Sequence, residues 1–359
     1  MQQVDVQTGG GSYPIVIGAD LLSTIDALLD DLTSCPARRI LVSSPTVWRL
    51  HGAALPASLR AEPAILIPDG EKNKTLTTAA RVYDGLLRAG ADRATTLVAL
   101  GGGVVGDVAG FAAATYLRGI PYVQVPTTLL AQVDSAIGGK TGVNHLLGKN
   151  LIGAFHQPAA VISDPYPLST LPRREFRSGL YEVVKYGMIA SRDLFNRLLT
   201  TLPAVFAREP ESLEPIVAES SRIKAEVVAS DEREAGPRRV LNFGHTAGHA
   251  LEAITKYRRF RHGEAIAYGM LIAAELAVAR KALDPADRGA LASLITHMGP
   301  LPPIADLPAS QASDAIRRDK KVIAGTLHFV LPVGIGKVEI VSDVSQRELT
   351  RAMKAVGMQ

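Results

Sequence analysis

Three short segments carry the side chains best suited to chemistry: Glu182-Val183-Val184-Lys185, Asn242-Phe243-Gly244-His245 with His249 beyond it, and His262-Gly263-Glu264. Apolar residues at helical spacing predict helices over 177–188, 244–257 and 263–280. Glu182 and Lys185 then share one helix face, three residues apart, and His245 and His249 share another, four apart. His262 opens a third helix. A histidine pair at helical spacing plus a distant carboxylate is a zinc-type ligand set with positions left open for substrate. Local spacing alone nominates His245 with His249 as that pair, and the same spacing also suits packing and hydrogen bonding. Gly248 would leave room beside His249 for a ligand group, and Gly263 would free the backbone to aim the ring of His262.

Cations form a second pattern. Lys140, Lys149, Lys185, Lys224 and Lys320, with Arg118 and Arg238, lie in or beside the segments that carry motifs. Each alone reads as a solvated surface charge. A converging set would bind a substrate that carries both a phosphate and a carboxylate.

Such groups need a scaffold, and its clearest stretch runs from Ala99 to Phe155. Thr95 to Leu100 is a short apolar run that suits a buried parallel strand. A helix of small residues follows, with Gly106, Gly110 and Ala114 at every fourth position. One face is therefore almost bare, which lets backbone N–H groups approach a bound group, and the helix start favours an anion. Gly101-x-Gly103-x-x-Gly106 fits the dinucleotide fingerprint. It stands near residue 100 instead of in the first βα unit, and no acid follows about 20 residues on to hold a ribose. A tight turn with close helix packing is an alternative use of the same glycines. Lys140-Thr141 fails as a P-loop, because Asp134 stands where that motif needs glycine.

The chain has 359 residues, too many for one core, which suggests two domains. The 39 basic and 35 acidic residues are interspersed, for a net charge of +4, so neither nucleic acid nor a membrane surface is indicated as a partner. One cysteine, Cys35, excludes an internal disulfide and points to a reducing compartment. The start lacks the features of a signal peptide and no stretch of 18 apolar residues exists, so a cytosolic protein is expected. Residues 3–18 read as a hairpin around Gly9-Gly10-Gly11, and residues 40–43 and 64–68 as short strands. The polar turn Asp69-Gly70-Glu71-Lys72-Asn73-Lys74 follows the second of these, at the strand end where ligands collect. These elements make the first half a doubly wound α/β domain. Pro165, Pro167 and Pro172 mark a boundary near residue 171. Residues 172–359 read as mostly helical, including 211–229, with a small hairpin over 329–341.

Taken together, Gly101 to Asp107, Thr115 to Gly119, Gln124 to Ser135, Gly138 to Thr141, Gly148 to Asn150, Glu182 to Lys185, Asn242 to His245 and His262 to Glu264 resemble the 3-dehydroquinate synthase family, one of the sugar phosphate cyclases. The resemblance spans most of residues 65–330 and implies a Rossmann-like dinucleotide-binding domain followed by a helical metal and substrate domain. It implies NAD, held by Asp69 to Lys74, Gly102 to Asp107 (Gly102, Gly103, Val104, Val105, Gly106 and Asp107), Thr127, Thr128, Lys140, Lys149, Asn150, Thr170, Leu171 and Glu175. It implies zinc, for which cobalt can substitute, held by Glu182, His245 and His262, with His249 facing substrate. Lys140, Asn242, His249 and Lys320 would take the substrate phosphate; Lys224 and Arg238 would take its carboxylate; Asp134, Lys185 and Glu234 would complete the pocket. Arg118 would reach the site of a neighbouring subunit in a homodimer. The substrate implied is 3-deoxy-D-arabino-heptulosonate 7-phosphate. It would be oxidised transiently, lose phosphate, be reduced again, and close to a carbocycle by an intramolecular aldol step. The segment Val42-Ser43-Ser44-Pro45-Thr46 lacks the acid that some relatives place on the adenosine ribose, so that contact is unassigned. The alternatives are a related cyclase acting on sedoheptulose 7-phosphate or glucose 6-phosphate, or a metal-dependent polyol dehydrogenase, neither of which needs the Lys224 and Arg238 clamp, and a non-catalytic interaction module, which needs none of the ligands and lysines.

Overall fold

The computed structural model describes residues 1–34, 38–234, 236–320 (side chains to 317) and 328–359. Cys35 and the Lys320 side chain lie outside the described residues. The chain forms two compact units, one of residues 1–172 with 208–232, the other of residues 173–207 with 233–359.

In the first unit, Gln2–Thr8 (β1) and Gly11–Ile17 (β2) pair antiparallel around the expected glycine turn. There follow Ile25–Leu32 (α1), Arg38–Ser43 (β3), Pro45–His51 (α2), Ile65–Leu66 (β4), Leu76–Arg88 (α3), Thr95–Gly101 (β5), Gly103–Thr115 (α4), Tyr122–Pro126 (β6), Lys140–His145 (β7), Gly148–Phe155 (β8) and Ala160–Ser163 (β9). Seven strands make one sheet in the order β1-β2-β9-β6-β5-β3-β4, parallel from β2 onward. Alternate residues of β5 enter opposite cores: Leu97 and Ala99 pack with Val82 and Val108, while Val98 and Leu100 pack with Ile25 and Leu41. A strand covered on both faces must be apolar throughout, as this one is. β4 is shorter than its apolar run, because Pro63 and Pro68 bracket it and remove ladder donors. The chain leaves β3 for β4 on one side and leaves β5 for β6 on the other. The carboxyl ends of β3 and β5 therefore flank a topological switch point, where doubly wound sheets bind ligands.

Two segments differ from the sequence reading. Residues 140–155, which carry Lys140-Thr141 and Gly148-Lys149-Asn150, form a two-stranded β7–β8 hairpin. Gly142 and Gly153 sit opposite each other there, with no room for a side chain against the facing backbone, so the motif glycines hide a strand signal.

The second unit opens with Arg173–Ala190 (α5) and Arg192–Ala207 (α6). Pro210–Ser230 (α7), expected with the second half, belongs instead to the first unit, where it packs on β1 and on the turn at 131–135. Glu214 on it accepts from Ala19 N at 3.0 Å, and Glu232 beyond it accepts from Gly9 N at 3.0 Å and from the Gln157 amide at 2.8 Å. The second unit resumes with His245–Ile254 (α8), His262–Ala279 (α9), Pro285–His297 (α10), Ala309–Lys320 (α11), the antiparallel pair Phe329–Gly334 (β10) and Lys337–Val341 (β11), and Gln346–Ala355 (α12). α9 is its central helix, rich in buried small residues, and α5, α8, α10 and α12 pack around it. A Cβ on Gly263 would strike the Ser178 carbonyl, and one on Gly269 the Gly244 carbonyl. These contacts bring the backbones of α5, α8 and α9 close enough to share side chains.

Candidate active site

In the first unit, the turn at 69–74 is tied down at several points. Lys74 is buried, and its ammonium pairs with the Asp107 carboxylate and donates to Asn150 Oδ1 at 2.5 Å. Asn144 donates from its backbone to the Lys74 carbonyl at 2.8 Å and from its amide to Glu71 Oε1 at 2.8 Å, and accepts from Asn150 N at 2.9 Å. Asn150 adopts a left-handed backbone with φ 56°, which asparagine tolerates. Glu71, Lys74, Asp107 and Asn150, nominated from three separate segments, thus form one network. Burial raises the Asp107 carboxyl above its ordinary value, against the opposing pull of Lys74. Asp69 accepts from Thr46 Oγ1 at 2.9 Å, beside the end of β3 that has no acid of its own. Asn73 bonds back to the Asp69 carbonyl at 2.6 Å, and Lys72 is exposed.

The glycine helix departs from expectation. The space beside Gly106 is filled by the Gln124 amide, and that beside Gly110 by Thr141 and Tyr122. At Gly106 and Gly110 the bare face of α4 therefore packs closely on β6 and β7. The helix start, at Gly102, Gly103 and Val104, is partly open, near Thr128 and Ser135, as is Asp107; Val105 and Thr127 are buried. Lys140 is exposed at the start of β7, and Lys149 is half-buried on β8. Thr170 takes a hydrogen bond with His51 Nε2 at 2.9 Å, one residue before the half-buried Leu171. Lys224 on α7 donates to Asp134 twice, at 2.6 Å to Oδ1 and 2.7 Å to the backbone carbonyl. Arg118 is exposed, with φ 68°, next to Leu117 with φ 50°.

In the second unit, α5, α8 and α9 bring Glu182, Lys185, His245, His249 and His262 together. Glu182 is fully buried; its Oε2 pairs with the Lys185 ammonium. Its Oε1 lies 3.7 Å from His245 Nε2 and 3.5 Å from His262 Nε2. One ligand atom from each of Glu182, His245 and His262 falls within 4.8 Å of the others. His249 is exposed, its ring 5.3 Å from that of His245 and 5.9 Å from that of His262. A second group, His249, Glu252 and His262, meets the same distance limit. Glu252 went unnoticed in the sequence, although it follows His249 by three residues on the same helix.

The donor chemistry of the first group fits a divalent cation. His245 Nδ1 lies 3.2 Å from the Phe243 carbonyl, which fixes the proton on that nitrogen and turns the Nε2 lone pair toward Glu182. Burial, then the Lys185 charge, pushes His245 down to about 3, so its ring is the neutral, metal-binding form. His262 moves the other way. Burial would lower it, but the carboxylates of Glu182 and Glu252 on either side outweigh that and raise it to about 10.

The two glycines beside these histidines act differently from their sequence reading. A Cβ on Gly248 would come 2.9 Å from the Ala265 carbonyl, so it serves the packing of α8 on α9 and leaves no room for a ligand. Gly263 is not left-handed; it donates from its backbone to Ser178 Oγ at 2.9 Å at the closest approach of α9 to α5. The adjacent Glu264 caps α9, accepting from Arg261 N at 2.8 Å and from Arg174 at 2.8 and 2.7 Å.

Of the other nominated residues in this unit, Asn242 donates to Glu234 Oε1 at 2.9 Å, with Glu234 at φ 60°. Arg238 is buried, and Glu175 pairs with Arg261 at 2.7 Å.

Residues 64–178 match a family model described as 3-dehydroquinate synthase N-terminal, and residues 179–322 match one described as 3-dehydroquinate synthase C-terminal. A 3-dehydroquinate synthase of Pelotomaculum thermopropionicum is 48% identical over 362 residues, covering 99% of this chain and 97% of the relative. Among solved structures, a 2-epi-5-epi-valiolone synthase from Streptomyces hygroscopicus, with NAD+ and Zn2+ bound, matches with a TM-score of 0.87 and 30% identity over 99% of both chains. A 2-deoxy-scyllo-inosose synthase complexed with carbaglucose-6-phosphate, NAD+ and Co2+ matches at 0.84 and 26% over the same share of each.

Proposed function

The chain belongs to the 3-dehydroquinate synthase family, and from that membership we propose that it converts 3-deoxy-D-arabino-heptulosonate 7-phosphate to 3-dehydroquinate and phosphate, as a carbon–oxygen lyase of aromatic amino-acid biosynthesis. The observation that carries this reading is the donor set Glu182, His245 and His262, whose two Nε2 atoms face one carboxylate oxygen. Glu182, His245 and His262 would hold zinc, or cobalt in its place, which polarises a substrate hydroxyl when bound. The turn at 69–74, the start of α4, Thr127, Thr128, Lys140, Lys149, Asn150, Thr170, Leu171 and Glu175 would hold NAD, which supplies a reversible hydride acceptor.

The protein's own groups position and hold charge. Lys185 pairs with Glu182 Oε2 in a buried place and leaves Oε1 presented to both rings. His249 is the most exposed of the three histidines and would meet substrate, taking or giving a proton at its ring. Asp134 fixes the Lys224 ammonium, and Glu234 fixes the Asn242 amide, so neither group needs to reorganise to bind an anion. We assign Lys140, Asn242, His249 and Lys320 to the phosphate, and Lys224 with Arg238 to the carboxylate. Arg118, exposed on a left-handed turn, is assigned to the neighbouring site of a homodimer. Among the described residues no helix is long and apolar enough to cross a membrane; we place the enzyme in the cytosol.

The likeness to other cyclases supports a second reading, in which the substrate lacks a carboxylate. Phosphate release from each of the three sugar phosphates, with NAD below substrate concentration, decides between them. The expected result is release from the heptulosonate alone, with no build-up of reduced nicotinamide. Release from sedoheptulose 7-phosphate or glucose 6-phosphate instead would favour the second reading, and stoichiometric reduced cofactor would favour a dehydrogenase.

A further inference from the structure

We propose that Glu252 is a positioning residue that sets the tautomer and the donor strength of His262. The inference rests on the metal-site reading above. His262 lies between two buried carboxylates: its Nε2 is 3.5 Å from Glu182 Oε1, and its Nδ1 is 3.6 Å from Glu252 Oε2. Glu252 is 4% exposed, and a carboxylate so enclosed is retained only beside a donor or a positive charge. With an ion held at Nε2, an acceptor at Nδ1 would keep the one remaining ring proton there and leave the Nε2 lone pair to the metal.

His245 has the same arrangement with a neutral acceptor, the Phe243 carbonyl at 3.2 Å from its Nδ1. Both rings therefore turn Nε2 toward Glu182, but only His262 is backed by an anion. An anionic partner raises the basicity of the ligating nitrogen more than a carbonyl does. His262 is thereby the stronger of the two imidazole donors. Its backing comes from α8, the helix that also carries His245. A shift of α8 would move one ligand and the orienting group of the other together.

The test uses the full chain with zinc and cobalt as probes. Zinc affinity is measured by competition with a chromophoric chelator, the visible spectrum is recorded with cobalt, and melting is followed without metal. Glu252→Gln keeps the shape and removes the charge. It should bind zinc about 10–100-fold more weakly, with a shifted cobalt band and a near-native metal-free melt. Glu252→Asp, which keeps the charge, should recover much of the affinity; it decides the matter if the glutamine variant does not fold. Unchanged zinc affinity and cobalt spectrum in Glu252→Gln would overturn the proposal. So would metal loss as complete as in Glu182→Ala, since Glu252 would then be a direct ligand with His249. If His262→Ala and Glu182→Ala bind zinc as tightly as the unmodified chain, the metal-site reading itself fails, whatever Glu252 does.

Discussion

Lys185 and Glu182 stand three residues apart on α5 in a buried ion pair, the ammonium on Oε2 and the two imidazole nitrogens on Oε1. Breaking such a pair from one side leaves the buried carboxylate without its ammonium partner. Lys185→Met should therefore cost about 3–5 kcal/mol in the metal-free protein. Zinc should restore part of it, because a dication on Oε1 would replace the lost charge. Urea unfolding with and without zinc measures both. An equal loss in the two conditions would mean that Glu182 does not meet the metal.

The identity of the third ligand is separately open to test. His262→Ala and Glu182→Ala should purify with little zinc, because each removes one of the three ligands. His249→Ala should keep near-stoichiometric zinc and turn over slowly. Metal analysis of the three variants decides; zinc lost from His249→Ala and kept in His262→Ala would reverse the assignment.

The carboxylate clamp predicts a substrate-dependent loss. A charged Arg–carboxylate contact is worth about 1.5–3 kcal/mol. Arg238→Leu should thus weaken the heptulosonate by roughly tenfold to a hundredfold or more. Substrate competition assays on a carboxylate-free analogue should show little change; an equal loss there would place Arg238 in another role.

Close helix approach makes a stability prediction with its own control. Gly263→Ala would drive a methyl into the Ser178 carbonyl, so it should cost at least the upper end of about 1–3 kcal/mol. Gly289→Ala, inside α10 with nothing within 4 Å of the new carbon, should gain about 0.5–1 kcal/mol. Thermal melts of the two variants should move in opposite directions.

These glycines also mark where the sequence was legible and where it was not. The strands at 95–101 and 38–43 and the helices α5, α7, α8 and α9 declare themselves through apolar period, because burial on known faces leaves few other patterns. The location of α7 does not, since a periodic stripe names no partner. The β7–β8 hairpin is hidden because Gly142 and Gly153 erase the alternation that would reveal it. In the site, spacing alone pairs His245 with His249. Only the tertiary packing of α9 shows His262 facing Glu182, and only the family resemblance anticipated it. Glu252 was missed because an acid three residues after a histidine is an ordinary helix pattern until its burial is known.

Glu348 offers a pH-dependent test away from the site. Hydrogen bonds from Arg280 and from Ser345 lower its carboxyl from 4.5 to about 2. A depressed acid stabilises the fold above its unfolded value, and that contribution is lost as pH falls from about 4.5 toward 2. Its side chain is 36% exposed, so solvent screening holds the effect to below about 1 kcal/mol. The melting gap between the unmodified chain and Glu348→Gln should be open at pH 7 and narrow below pH 3. A gap that is constant with pH would show that the pair contributes nothing through charge.

The placement of α7 on β1 has a consequence for synthesis. As the chain leaves the ribosome, the sheet is complete in strands once residue 163 has emerged, yet the face of β1 and the partners of Asp134, Gly9 and Ala19 come from 214–232. Residues 173–207, which belong to another core, emerge in between. The first unit cannot finish folding until a segment of its neighbour has already been made, so the two units mature as interleaved nascent chains. A fragment cut at residue 172 would expose an unfinished surface.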